Sequence, residues 1–281
     1  MRPLVDFLVS ATTTFESSIM VVLIAMAVIT AIEAPIPLHA RGSLGRAHVL
    51  PNLALTFITF ATNFVVNTAL VLTLIWLQSI RFGFLYQFEL HPLATLAIAV
   101  LALDFSFYVN HVAMHKIPGF WHYHRVHHSD AHVDVTTTIR QHPGEGVIRY
   151  AFLTAGAIAT GATPGAFAVY RLWSILSGLL EHANVRLPQR LDTLLSLVII
   201  SPNMHKIHHS RDTRYTDTNF GNVISVWDRL FLTFVPAAKG MDVNYGLEGF
   251  DVLGWQTIAG FLAVPFRDTR KVIESAAKQQ A

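Results

Sequence analysis

The chain contains no cysteine among its 281 residues. Disulfides, cysteine-ligated zinc and iron–sulfur clusters are thereby excluded. Charge is scarce: Asp, Glu, Lys and Arg make up 14% of the chain, against roughly 25% in an ordinary soluble domain. Neither sign dominates, since 20 Lys and Arg face 18 Asp and Glu, so no basic surface for a nucleic acid is implied. A dinucleotide fingerprint is also missing, because the Gly-containing stretch GAIATG at 156–161 lies inside an apolar run rather than between a strand and a helix. The first residues carry one Arg and then a polar stretch. That is a poor signal peptide, and the first apolar run is expected to be retained.

Apolar residues and histidine fill the space these absences leave. Hydrophobic residues are 52% of the chain and the mean hydropathy is +0.44, a balance that points to a membrane protein. Ile19 to Ile32 is apolar and ends before Pro35 and Pro37. Asn52 to Leu77 is a long span interrupted only by neutral asparagines, and Pro92 to Val109 is a third. Asn63 and Asn67, four apart, share a face, as interhelical glue or as substrate contacts. Val147 to Ala162 and Ala166 to Leu180 read as a helical hairpin that enters the bilayer and returns. Leu191 to Ile200 is too short to span and is expected at the interface.

The expected fold is all-α, an integral membrane helical bundle of about four membrane units with a cytosolic histidine-rich cap. The expected organisation is 1–90 as N-terminal membrane helices, 91–235 as the catalytic region and 236–281 as an amphipathic, solvated tail. Arg41, Arg46 and most of the other Arg and Lys fall on the side to which the third span delivers His111. The positive-inside bias puts that face in the cytoplasm, and the expected location is a bacterial inner membrane.

Of 15 histidines, only His39, His48 and His91 lie outside one arrangement. His111 and His115 are four apart at the end of a span, so one helix face carries both. His124, His127 and His128 form H-x-x-H-H, and the same pattern returns at His205, His208 and His209. His142 and His182 bring the set to ten imidazoles. Neutral imidazole suits iron, zinc, copper and nickel and excludes magnesium and calcium. So many nitrogens exceed one ion and fit two, with two irons favoured and zinc a possible substitute. His122 and His132 are left over as ligands, hydrogen-bond partners or surface residues. Asp104, Asp217 and Asp228 are candidates to accept Nδ1–H bonds and orient the ligands. Tyr108 shares the helix of Asp104, His111 and His115. A histidine-rich membrane metal transporter or metal-binding protein is the rival reading. The histidines gather beyond one end of the spans rather than along a route through them, which favours an enzyme.

These motifs, in this order, resemble the fatty acid hydroxylase and sterol desaturase superfamily of membrane di-iron enzymes. The resemblance runs from Leu96 to Phe234. It rests on the three histidine boxes, on Thr137, Arg140, His142 and Pro143, on His182 with Asn184, and on the closing stretch Asn219 to Arg229. Asp134 stands where such relatives often carry Asn. The resemblance implies a dimetal centre that uses dioxygen to hydroxylate or desaturate a lipid, a sterol or a related long apolar substrate. It further implies electrons from a separate donor such as ferredoxin or a cytochrome b5-like protein. Arg140 and Asn184, which stand in its motifs, are expected to support the ligands; Asp134, which departs from the pattern, and His132, which lies outside the boxes, are further candidates for that role.

Overall fold

A computed structural model describes residues 19–39 and 47–280. The polar first residues, and Arg41 and Arg46 of the positive-inside bias, lie outside the described residues. Within them the chain is all-α. Extended pairing is limited to isolated bridges, Pro37 with Val185 and Ile199 with Ile224.

Helix α1 is Ile19–Glu33 and α2 is Val49–Ser79. Helix α2 tolerates its threonines because their hydroxyls bond back to the carbonyls one turn earlier, Thr56 to Asn52, Thr59 to Leu55 and Thr73 to Ala69. Helix α3 is Pro92–Lys116, opened by Pro92 after the His91 cap. The sequence reading ended this span at Val109. No helix breaker follows until Pro118, so the helix continues and carries His111 and His115 with it. Helix α4, Pro118–His128, starts directly afterwards with Pro118 in its first turn.

Helices α5 (Pro143–Thr160) and α6 (Pro164–His182) form the expected hairpin. Gly161 closes α5 in the left-handed conformation at φ 75°, and Thr163 caps α6 through Ala166 N–H. Gly156 lets α5 approach α3 closely, since a Cβ there would sit 1.9 Å from Ser106 Oγ. Small residues at such crossings are typical of packing between membrane helices. Short helices complete the cap: α7 (Gln189–Leu195), α8 (Pro202–His208), α9 (Thr213–Thr216) and α10 (Val226–Leu230). The chain ends in α11 (Ile258–Ala263) and α12 (Thr269–Gln280).

The segment Val49–Gln87, which contains α2, and α3 are each long and apolar enough to cross a membrane, both with hydropathy 1.8. The main core joins α2, α3, α5 and α6 through Leu74, Leu103, Leu153, Phe167 and Tyr170. On the outside, Phe57 is 75% exposed and Val65 66%, the pattern expected where acyl chains replace water. The segment expected as an amphipathic, solvated tail turns an apolar side inward, supplying Phe250, Phe261, Val264 and Val272 to a second core with Leu55 and Val126. Arg125, buried in α4, donates to the carbonyls of Val264 and Arg267 and to Thr269 Oγ1. The C-terminal residues thus back the helix that carries the second histidine box.

Candidate metal centre

Four helices supply the histidines. Helix α3 ends with His111 and His115 on one face. On α4, His124 and His128 share a face and His127 is rotated away from it. On α8, His205 is one turn from His209, at the helix end, and His208 is offset. Helix α6 ends with His182. The result is two groups of ring nitrogens. One contains His111, His115, His124, His128 and His208, and the other His127, His182, His205 and His209, with ligand atoms within 4.8 Å of one another in each. Both H-x-x-H-H boxes therefore serve both groups. Because neighbouring residues on a helix point about 100° apart, one short helix can face two centres. The rings of His128 and His209 stack at 4.6 Å where the groups meet.

The hydrogen bonds fix what the nitrogens can do. His111 Nδ1–H donates to the Phe220 carbonyl at 2.8 Å, His208 to that of Thr218 at 2.8 Å and His182 to that of Gly178 at 2.7 Å. A carbonyl only accepts, so in these rings the proton sits on Nδ1 and Nε2 presents a lone pair. Yet His182 Nε2 lies 3.0 Å from His127 Nε2 and 3.1 Å from the Nε2 atoms of both His205 and His209. In the other group His124 Nε2 lies 3.1 Å from His111 Nε2 and 3.2 Å from His128 Nε2. Buried Nε2 atoms of His115 and His208 have no hydrogen-bond partner.

The single lone pair of His182 Nε2 can accept one N–H at most, so three ring nitrogens crowded on it are repulsive unless a cation lies among them. Ligands about 2.1 Å from a common ion are themselves about 3.0–3.4 Å apart, which these spacings match. The donor set fits two iron ions, or a substitutable metal such as zinc. Burial, reinforced by the neighbouring rings, holds His127, His128, His205 and His209 well below the usual imidazole value. Burial takes His208 down to about 3. Neutral rings are the form that ligates.

His142 stands apart from both groups. Its Nδ1 accepts from Gly144 N–H at 3.0 Å, and its ring packs 5.2 Å from that of Tyr123. Its place before Pro143 makes it the N-cap of α5.

Among the expected supporting residues, Asp217 touches a ligand directly: its Oδ1 lies 3.2 Å from His115 Nδ1. Asp228 acts through the loop, accepting from Phe220 N–H at 2.7 Å, Gly221 N–H at 2.9 Å and Thr233 Oγ1 at 2.7 Å. It thereby holds the carbonyl that receives His111. Asp104 accepts from Val223 N–H at 3.2 Å and from Trp227 Nε1 at 2.9 Å, bracing the same loop, and Tyr108 OH pairs with Thr233 Oγ1 at 3.0 Å. Arg140 ties Val126 O, Ser129 Oγ, Asn52 Oδ1 and Gln256 Oε1 together behind α4. Asp134 pairs with His48 Nε2 at 3.2 Å, and His132 stacks on His48 at 5.8 Å. Asn184 exchanges hydrogen bonds with the backbone of His39, at 2.9 Å each.

Two functional candidates escaped the sequence reading. Glu145 Oε1 lies 3.3 Å from His124 Nδ1, and Glu181 Oε1 lies 3.9 Å from His205 Nε2. Both carboxylates are buried, and Oε2 of each has no partner. The available signal was an acidic residue in each helix of the hairpin, Glu145 four residues before Arg149 and 3.9 Å from it, and Glu181 directly before His182. Both line a cavity of about 120 Å³ that opens against His111, His124, His127, His182 and His205. Asn63 also lines it, whereas Asn67 bonds Tyr150 OH at 3.3 Å. Asn67 thus ties α2 to α5 as interhelical glue.

Residues 96–233 match the fatty acid hydroxylase family. The chain is 32% identical over 148 residues to an alkylglycerol monooxygenase of Caenorhabditis elegans, covering 51% of this chain and 28% of that protein. It is 30% identical over 150 residues to the alkylglycerol monooxygenase of Danio rerio, covering 53% and 32%. To the ornithine lipid hydroxylase OlsE of Rhizobium tropici it is 26% identical over 166 residues, covering 59% and 47%. The chain spans less than half the length of these relatives, and no solved structure matches it. The matched region contains both histidine groups in full, and by it the chain belongs to the fatty acid hydroxylase superfamily of histidine-rich di-iron enzymes.

Proposed function

We propose that this protein is a membrane di-iron monooxygenase that hydroxylates a lipid. The observation that carries the reading is the convergence of buried imidazole lone pairs on two centres at one end of the apolar helices. When bound, two irons would supply dioxygen chemistry. One oxygen atom enters a C–H bond and the other leaves as water, with two electrons and two protons consumed. The protein's own part is placement. The nine imidazoles would hold the metals, carbonyls and Asp217 fix the ring tautomers, and the packed α3–α6 walls keep bulk water from the reacting carbon.

The electrons come from a carrier of the ferredoxin or cytochrome b5 kind, as the family resemblance implies, because the 281 residues themselves hold neither cysteine for a cluster nor a nucleotide fingerprint. We place the histidine face in the cytoplasm of a bacterial inner membrane. In this reading α1 and the α5–α6 hairpin join α2 and α3 as membrane units, and the catalytic region is 91–235.

The test is lipid mass spectrometry of cells carrying the wild type or His128→Ala, grown under isotopically labelled dioxygen. A product one oxygen atom heavier, bearing the label and absent with His128→Ala, supports hydroxylation. Loss of two hydrogens without label would make the enzyme a desaturase. Unchanged lipids together with metal flux dependent on His128 would replace the reading with a transporter.

A further inference from the structure

The outer side of α3 is interrupted by part of the cap. Ile98, Leu101 and Val109 are exposed on one stripe of that helix, at the spacing of residues that share a helical face. Phe105 falls between them on the same stripe and is covered. Trp227 of α10 and Phe231 directly after it pack against its ring, at 5.0 and 5.7 Å. From Pro92 to Phe105 α3 climbs about 20 Å at 1.5 Å per residue, while a hydrocarbon core is about 30 Å thick. Helix α10 therefore meets α3 about 10 Å short of the far boundary of such a core, with lipid-facing residues on both sides of the contact.

What α10 presents outward is apolar. Leu230, Phe231 and Leu232 are exposed, Leu232 to 91%. The helix ends in a left-handed turn, with Thr233 N–H donating to the Asp228 carbonyl, where glycine is usual. Leu232 takes that position at φ 61°, which costs a residue with a side chain about 1–2 kcal/mol, and leaves its side chain almost wholly outside the protein. Helix α7 lies alongside, joined by the bridge of Ile199 with Ile224 and by Ser225 N–H donating to the Val198 carbonyl at 3.0 Å. It adds Leu194, Leu197 and Val198, all exposed. Across 191–198 and 226–232 no charged side chain is exposed. Asp192 and Asp228 are buried. Arg229 folds inward, donating to the Ser196 and Ser225 carbonyls and lying 4.0 Å over the Phe234 ring.

The backbone of this face is also satisfied from within. Leu197 and Val198 N–H donate to the Leu194 and Leu195 carbonyls, and Phe231 N–H to that of Trp227. The Ser196 carbonyl, left over at the end of α7, receives both Arg229 Nη2 and Ser225 Oγ, each at 2.7 Å. Irregular backbone in water needs no such closure, whereas in hydrocarbon each unsatisfied group costs several kcal/mol.

We propose that the joint α7–α10 face is immersed in the acyl region of the leaflet on the histidine side, as a wedge beside α3. Its partner is bilayer hydrocarbon, continuous with the lipid already facing Ile98, Leu101 and Val109. Arg186 and Arg190, exposed where the chain enters α7, stand at the level of the head groups and favour anionic ones. The cap is thus seated in the membrane and not upon it. This placement rests on α3 as a membrane span and is independent of the reaction.

Because the chain has no cysteine, single cysteines can be introduced and spin-labelled without further change. Nitroxides are placed through Leu194→Cys and Leu232→Cys in the zinc-loaded full chain, in vesicles of phosphatidylcholine and phosphatidylglycerol. Phe57→Cys, on the outer face of α2, and Arg270→Cys, at a side chain 88% exposed, serve as references. Zinc content at the wild-type level shows that each labelled chain is folded, and Leu197→Cys or Leu230→Cys replaces a variant that loses zinc. The labels at Leu194 and Leu232 should collide with dissolved oxygen as the Phe57 label does. They should collide with a water-soluble nickel chelate about tenfold less often, or rarer still, than the Arg270 label. Nickel collision at either position equal to that at Arg270 would put the face in water and overturn the proposal. Low collision with both reagents would mean that protein covers the face, a second copy if the spectra broaden with protein density, and would overturn it as well. A Phe57 label open to nickel would remove the membrane span itself, whereas water at Leu194 and Leu232 beside hydrocarbon at Phe57 would remove the wedge alone.

Discussion

His182 and His205 face each other nitrogen to nitrogen, Nε2 to Nε2 at 3.1 Å, although they lie on different helices and 23 residues apart. The Gly178 carbonyl holds the proton of His182 on Nδ1, so the short contact is made by a lone pair. That relationship recurs across both groups and is the physical basis for reading them as metal sites. It also makes the centre sensitive to groups that set ring orientation without touching the metal.

Asp217→Asn tests one such group. Asp217 is partly exposed, and its pair with Lys116 at 2.5 Å is a surface one, so its loss should change stability little. Its contact with His115 Nδ1 orients a ligand, and loss of such partners typically costs about 10–100-fold in metal affinity. Chelator competition should show the weakened affinity while the thermal midpoint of the metal-free protein stays close to wild type. Unchanged affinity would assign Asp217 to the surface alone.

Asp228→Ala should behave in the opposite way. It strips acceptors from Phe220 N–H, Gly221 N–H and Thr233 Oγ1, all at a buried site. Leaving these donors unpaired should cost about 2–4 kcal/mol and release the carbonyl that fixes His111. Denaturant unfolding in detergent should show the loss. A variant as stable as wild type would contradict the bracing role.

The pair of His48 and Asp134 predicts a pH dependence. Burial opposes the charged form of His48, but Asp130 and Asp134 outweigh it and raise the imidazole above its ordinary 6.5. A group raised in the folded state stabilises fully below its unfolded value and loses that contribution as pH rises through the folded one. The stability difference between wild type and His48→Gln should therefore be larger near about pH 5.5 than near about pH 8. A difference that is flat or grows with pH would remove the charged pair from the account.

The histidine boxes were legible in the sequence because helical spacing alone puts His111 with His115, His124 with His128, and His205 with His209. The hairpin was legible because Gly161 and Pro164 punctuate an apolar run. Partners across the centre were not. Which group His127 and His208 join depends on how α4 and α8 cross, and spacing within either helix does not encode that crossing. His142 shares the chemistry of a ligand, but Pro143 turns the chain there and makes it a cap. Asp104 and Asp228 carry the acceptors that could bond imidazoles. They hold backbone N–H groups of the 220–224 loop instead, a target set by tertiary packing. Glu145 and Glu181 were passed over because spacing along the helix links Glu145 only to Arg149, and the approach of both acids to His124 and His205 is set by how the helices cross. The C-terminal segment carries its core residues, Phe250, Phe261, Val264 and Val272, in runs too short to show a period.

The most direct test is iron content after anaerobic reconstitution, measured per chain for the wild type and for His182→Ala. His182 belongs only to the four-histidine group and lies within 3.1 Å of its three other members. Two irons per chain in the wild type and about one in the variant, with the five-histidine group still loaded, is the predicted result. One iron in both proteins, or two in both, would contradict a dimetal centre built from these nine imidazoles.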